Sequence, residues 1–202
     1  MVERYLRQSP LASLQLAARV GAGPEGAGIR LSDGGFVGQL LLRGSGDGRF
    51  RMAAVAALAT ALPLEPNRVT EADGIRALWL GPDEWLIVTR EERLEGLTRA
   101  LLHELAGQSL AITDVSEARA VIGIAGPAAR DVLSQGLSLD LHPRAFGPAQ
   151  AAQTLLARVP VILHQRSDEP RYDLYAPRSL AEYLWHWLED AARDCGVAVA
   201  AG

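Results

Sequence analysis

One unit of local structure is written twice in this chain, and that repetition constrains its fold more than any other feature. Gly44 and Gly126 are 82 positions apart, Trp85 and Tyr172 are 87 apart, and Leu94 and Leu180 are 86 apart. The identities differ, but the order strand, helix, strand, strand, helix runs twice at a nearly constant offset. Strands and helices segregated in this way make an α+β protein, in which each repeat packs its helices on its own sheet. The expectation is a duplicated β-α-β-β-α unit. Its N-terminal lobe is 1–108, including a leading segment, and its C-terminal lobe is 109–202.

The periodicities assign the elements. Residues 1–34 are rich in Gly and Ala, poorly periodic, and read as a leading segment and loop. A strand is predicted at 36–43 and a helix at 49–62, with Met52, Val55, Ala59 and Leu62 on its inner face. A hairpin follows at 77–89 around Gly81-Pro-Asp-Glu84. Next comes an amphipathic helix at 91–106, with Leu94, Leu97, Leu101 and Leu105 inward and Gly107 as its stop.

In the second repeat the strand is 119–125 and the helix 127–135, opened by Pro127 and closed by Gly136. Strands are expected at 154–157, 159–165 and 172–176. The last helix, 179–195, carries Leu180, Leu184, Trp187, Leu188 and Ala191 on one face. Thr89 with Glu92, and Ser179 with Glu182, have capping-box spacing at the starts of the two long helices.

Composition narrows the function. A chain of 202 residues, 49% hydrophobic and 22% charged, is long enough to bury a core and has the profile of a globular protein. A net charge of -4 argues against general attraction to nucleic acid. No apolar run reaches membrane-spanning length, and the start lacks a secretory apolar core, so no membrane association is expected. The single cysteine, Cys195, has no partner for an internal disulfide, and a cytoplasmic location is the default. All 20 basic residues are arginine. The absence of lysine removes the phosphate-loop lysine, the Schiff-base lysine and any lysine base.

No catalytic constellation emerges. There is no Gly-x-Ser-x-Gly elbow, and Gly44-Ser-Gly-Asp-Gly48 lacks the Gly-Lys-Ser/Thr that completes a phosphate loop. Gly21-Ala-Gly-Pro-Glu-Gly26 matches a dinucleotide fingerprint in letters only. A proline interrupts it, and neither a clear strand before it nor a periodic helix after it is evident. His103, His142, His164 and His186 lack metal-ligand spacing. Of the four tryptophans, Trp85 and Trp185 are the candidates for a partner surface.

A longer ordered series carries a family likeness. Its pieces are Leu78-Trp-Leu-Gly-Pro-Asp-Glu-Trp-Leu-Ile87, Asp114-Val-Ser116, Gly126-Pro127 through Leu133, and Leu139-Asp-Leu-His-Pro-Arg144. Gln153-Thr154, Arg178-Ser-Leu-Ala181 and Leu184-Trp-His-Trp-Leu188 complete it. The series resembles the gamma-subunit family of heterotetrameric sarcosine oxidase, a bacterial relative of the folate-binding aminomethyltransferase-like fold. The resemblance implies a non-catalytic subunit that packs against an alpha subunit, with beta and delta subunits completing the complex. Such a complex demethylates sarcosine oxidatively to glycine and passes the one-carbon unit to tetrahydrofolate. FAD, FMN, NAD and tetrahydrofolate are implied for the partner subunits and none for this chain.

In aminomethyltransferases a Gly-Glu-Asp-Gly segment supplies the carboxylate that pairs with the pterin. Here the matching place reads Asp168-Glu-Pro-Arg171, so Glu169 is in register while Pro170 and Arg171 replace Asp-Gly. Arginine lacks the backbone freedom of glycine, so the loop is expected to take another path. Glu169 and Asp114 are therefore the candidate remnants of a folate site. Arg119, Arg130, Arg144 and Arg178, with Trp85 and Trp185, are the candidate partner interface. The alternative is a stand-alone folate-binding aminomethyltransferase-like protein, which requires a pocket with Glu169 or Asp114 facing inward.

Overall fold

A computed structural model describes residues 7–202 of the chain. After a short helix α1 (Leu16–Arg19) come β1 (Ile29–Asp33), β2 (Val37–Gly44), α2 (Gly48–Leu58), β3 (Val69–Ala72), β4 (Ile75–Gly81) and β5 (Glu84–Arg90). Then follow α3 (Leu94–Glu104), β6 (Leu110–Asp114), β7 (Arg119–Ala125), α4 (Ala129–Ser134) and β8 (Gln150–Leu156). β9 (Val159–Gln165), β10 (Arg171–Pro177), α5 (Ala181–Ala191) and β11 (Val197–Val199) complete it. The chain clusters into two units. One takes the described residues up to Gly35 with Ala118–Pro148 and Gln153–Gly202; the other takes Phe36–Glu117 with Ala149–Ala152.

The second of these units, formed around Phe36–Glu117, is a five-stranded sheet in the order β3-β4-β5-β2-β6. Its core gathers Leu40 and Leu42 from β2, Trp85 and Ile87 from β5, and Leu97 and Leu101 from α3, with Leu105 just past the helix end. The α3 face is the one its leucine spacing predicts. The face of α2 is not. Phe50, Ala54 and Leu58 point inward, while Met52 is 78% exposed and Val55 also faces solvent. This helix is apolar nearly all round, so periodicity alone leaves its rotation open. The buried Phe50 ring against Trp85 marks the inner face, while Asp47 caps the helix start by accepting a hydrogen bond from the Phe50 amide at 2.9 Å. The helix ends at Ala59, which takes φ 54°, so Leu62 is buried beyond the helix rather than in it. Gly44 belongs here too, because a Cβ at that position would run into the Phe50 ring.

The other unit repeats the plan with one addition. Its sheet runs β11-β1-β7-β10-β9-β8, so β8, β9, β10 and β7 stand in the same order as β3, β4, β5 and β2. Between β7 and the last strand, β1 is inserted, antiparallel to β7 and parallel to β11. The leading segment is thus not only a loop: Ile29 and Leu31 are buried while Arg30 between them is exposed. Three sheet-edge strands, β3, β6 and β11, also escaped the sequence reading. Each is only three to five residues long, too short to show alternation above its neighbours.

The repeat offsets fall on equivalent places. Trp85 and Tyr172 are each the second residue of their strands. Gly44 ends β2, and Gly126 follows the last residue of β7. Gly126 holds φ +130°, and a Cβ there would meet the Gly28 carbonyl. Of the three eleven-residue helices, α3 and α5 each follow a 3-10 turn, Glu91–Arg93 before α3 and Arg178–Leu180 before α5. Those turns displace the expected capping boxes. Thr89 stays buried in β5, Ser179 lies inside its turn, and neither helix has a side-chain cap. On α5 the inward residues are Ala181, Leu184, Trp185 and Leu188, with Trp185 taking the place expected of Trp187.

Candidate functional site

The sheet of the first unit carries a trough of about 500 Å3 on one face. Its floor is β7, where Gly123 and Ala125 leave almost no side chain, and Gly126 and Pro127 extend it. One wall is Arg30 and Ser32 of β1. The other is Arg171 and Asp173 of β10. Glu169 and Pro170, from the hairpin that joins β9 to β10, close one end, and Ala200 and Ala201 lie along the rim.

Register explains the walls. Arg30 and Arg171 both pair with Ala125, one from each neighbouring strand, and Ser32 and Asp173 both pair with Gly123. Residues directly opposite each other across a sheet share a face, so all four side chains rise on one side of β7. A side chain at Gly123 would strike the Ser32 hydroxyl, so the floor is kept bare. Asp173 accepts a hydrogen bond from Arg166 at 2.8 Å. Arg30 and Arg171 have no ion-pair partner among the described residues.

Glu169 therefore lines a cavity. Its hairpin is braced from within: the Ser167 hydroxyl donates to the Glu169 carbonyl at 3.0 Å, and the Gly126 amide donates to the Pro170 carbonyl at 3.0 Å. Asp114 belongs to the other unit and is engaged locally. Its carboxylate accepts from the Ser116 amide at 2.9 Å and from the Ser116 hydroxyl at 2.6 Å. The two carboxylates expected of a folate site are thus one at the trough and one closing a turn.

The candidate interface divides as well. Trp85 and Trp185 are both fully buried, which corrects their expected place at a partner surface. Trp85 donates its indole N–H to the Pro63 carbonyl at 2.8 Å, and Trp185 is enclosed on the inner face of α5. Both tryptophans are drawn inward because their large apolar rings fill a helix–sheet core.

Arg119 opens β7 opposite Pro177, and Arg178 follows directly, donating its guanidinium to the Gln8 carbonyl at 2.6 Å. Arg130 lies on α4 beside Tyr172, five residues further along the ladder, or about 17 Å away. Burial pushes the Tyr172 phenol above its ordinary range, and the Arg130 charge partly opposes that. Arg144 is exposed in the loop after α4. These four arginines share a unit but not a single patch.

Sequence reasoning missed Arg30, Arg171 and Gly123 as a group. The alternation Ile29-Arg-Leu-Ser32 was a usable strand signal for the first, but nothing in the letters set Arg30 beside Arg171. Among the described residues no cluster of three or more His, Cys, Asp or Glu side chains is placed to hold a metal ion, and no helix is long and apolar enough to cross a membrane.

A model of the family described as sarcosine oxidase, gamma subunit, matches residues 43–194. The chain belongs to the sarcosine oxidase gamma subunit family. A sarcosine oxidase subunit gamma of Arthrobacter sp. is 37% identical over 191 residues, 94% of this chain and 91% of that protein. In the solved heterotetrameric sarcosine oxidase of Corynebacterium sp. U-96, in complex with pyrrole 2-carboxylate, one chain is 36% identical. That match has a TM-score of 0.84 and covers 94% of this family member and 96% of the solved chain. Aminomethyltransferase T of the glycine cleavage system from Bartonella henselae shares the fold, with a TM-score of 0.64 at 14% identity. It covers 95% of this chain and 51% of the aminomethyltransferase, so the aminomethyltransferase-like fold inferred from the sequence is the fold observed.

Proposed function

We propose that this chain is the gamma subunit of a bacterial heterotetrameric sarcosine oxidase and acts as an assembly partner of the large alpha subunit. Beta and delta subunits complete the complex. Sarcosine is demethylated to glycine on the partner subunits, which hold FAD, FMN, NAD and tetrahydrofolate, and this chain contributes no active site of its own. The observation that carries this reading is the likeness to a chain of a solved heterotetrameric sarcosine oxidase, which extends over 94% of the sequence. The cytoplasm is the compartment that suits a chain with one unpaired cysteine, Cys195. Within the first unit, Arg119, Arg130, Arg144 and Arg178 are the proposed contacts to the alpha subunit, because arginine is enriched at protein interfaces.

The test is co-expression of the tagged chain with the alpha, beta and delta chains encoded in the same genome. A stoichiometric, flavin-coloured complex that oxidises sarcosine is the expected product. A chain that purifies alone contradicts the proposal, and titration with a reduced folate, with Glu169→Ala as control, then decides whether it binds folate by itself.

A further inference from the structure

We propose that the trough over β7 is a binding site for a carboxylate-bearing organic acid, gripped between Arg30 and Arg171. The inference goes beyond the subunit reading and does not depend on it.

The internal repeat supplies the control. In the other unit the row at the same sheet position is Ala111, Arg43 and Glu84, on β6, β2 and β5, with β6 standing beside β2 where the inserted β1 stands beside β7. There the central position carries the arginine, and Arg43 closes on Glu84 at 3.0 Å. The next row is Thr113, Leu41 and Leu86, filled by two leucines. In the trough the same two rows read Arg30, Ala125, Arg171 and Ser32, Gly123, Asp173. The centre has been emptied of side chain, and its flanks hold two arginines with no ion-pair partner among the described residues. One scaffold therefore shows the arrangement both closed on itself and open.

The open version has the chemistry of an acid site. One strand, β7, separates Arg30 from Arg171, two inter-strand spacings or about 10 Å between their backbones, a span that two guanidinium side chains reach across from either side. Each guanidinium presents a planar fork that matches a carboxylate with two parallel hydrogen bonds. Asp173 is occupied by Arg166, so Glu169 is the one lining carboxylate set against two arginine charges, and the trough is net positive. The carboxylate of the ligand sits above Ala125. Its body extends over the bare floor at Gly123, past the Ser32 hydroxyl.

Calorimetric titration of the full-length chain with glutarate tests this, with the neutral isostere glutaramide as control. Glutarate is expected to bind saturably at one site and glutaramide not at all. Arg30→Ala and Arg171→Ala should each weaken glutarate about tenfold or more, as loss of a charge-assisted pair requires. The double change Ala125→Arg with Arg171→Glu rebuilds the closed pair of the other unit and should abolish binding while the melting transition is kept. Absence of saturable glutarate binding overturns the proposal, as does equal binding of glutaramide or indifference to both arginine changes. A reduced folate that depends on Glu169 and not on either arginine overturns it too.

Discussion

Phe50 stacks on Trp85 with ring centroids 6.1 Å apart and ring planes 23° apart. One ring comes from α2 and the other from β5, and both are completely buried. This contact fastens the first helix of the repeat to its sheet. It also explains why a glycine stands at 44, where any Cβ would enter the Phe50 ring.

The first prediction follows from that contact. Phe50→Ala removes a buried ring and leaves a cavity against Trp85, costing about 3–5 kcal/mol. Gly44→Ala pushes the same ring aside and costs about 1–3 kcal/mol by overpacking. Urea unfolding of the two variants measures both. Losses under 0.5 kcal/mol would show that the stack contributes nothing.

The rotation of α2 gives the second. Met52→Gln, on the exposed face, is expected to shift stability by less than about 0.5 kcal/mol. Ala54→Gln, two residues on and on the buried face, should cost several times more, since an unpartnered amide is forced into the core. Equal effects of the two changes would restore the rotation that periodicity suggested.

Asp47 gives a pH prediction. The Phe50 amide, then the Ser45 hydroxyl, hold its carboxyl below the ordinary value of 3.8. A carboxyl whose folded pKa is depressed stabilises the fold above its unfolded value, and the benefit vanishes as pH falls through the folded one. Asp47→Ala should therefore lower Tm by about 2–4 °C at pH 7, as loss of a helix cap does, and by progressively less below pH 3.8. A Tm difference that stays constant down to pH 2 would remove the cap from the explanation.

Tyr172 behaves in the opposite sense. Burial raises its phenol above 10.0 despite the Arg130 charge. An acid whose folded pKa is raised contributes stability that is intact below the unfolded value and is lost as pH climbs through the folded one. Unfolding measured from pH 9 to 12 should show wild-type stability declining above pH 10 more steeply than that of Tyr172→Phe. Parallel curves would place the alkaline loss elsewhere.

The sequence was most legible where one face of an element is apolar and the other polar. Leu97 and Leu101 mark the inner side of α3 without help, and Leu105 continues it just past the helix end. β7 and β9 have the bounds that their apolar runs suggest, 119–125 and 159–165. It was least legible where polarity does not discriminate. α2 offers apolar residues on every side, and α5 offers Trp185 and Trp187 two positions apart with only one place in the core. Hydroxyl-to-carboxylate spacing at Thr89 and Ser179 predicted caps that the intervening 3-10 turns move out of reach.

The sequence by itself determined the family, the duplicated order of strands and helices, and Glu169 as a residue worth following. These are local or ordered properties, carried by spacing and by strings of neighbouring letters. Tertiary structure alone decided that β1 joins the sheet of the second repeat, that Trp85 and Trp185 are buried, and that Arg30 and Arg171 flank Ala125. Those facts depend on which strand lies beside which. Pairing between residues 30, 125 and 171 is set by hydrogen bonds and burial across the whole sheet, and no local pattern in the chain records it.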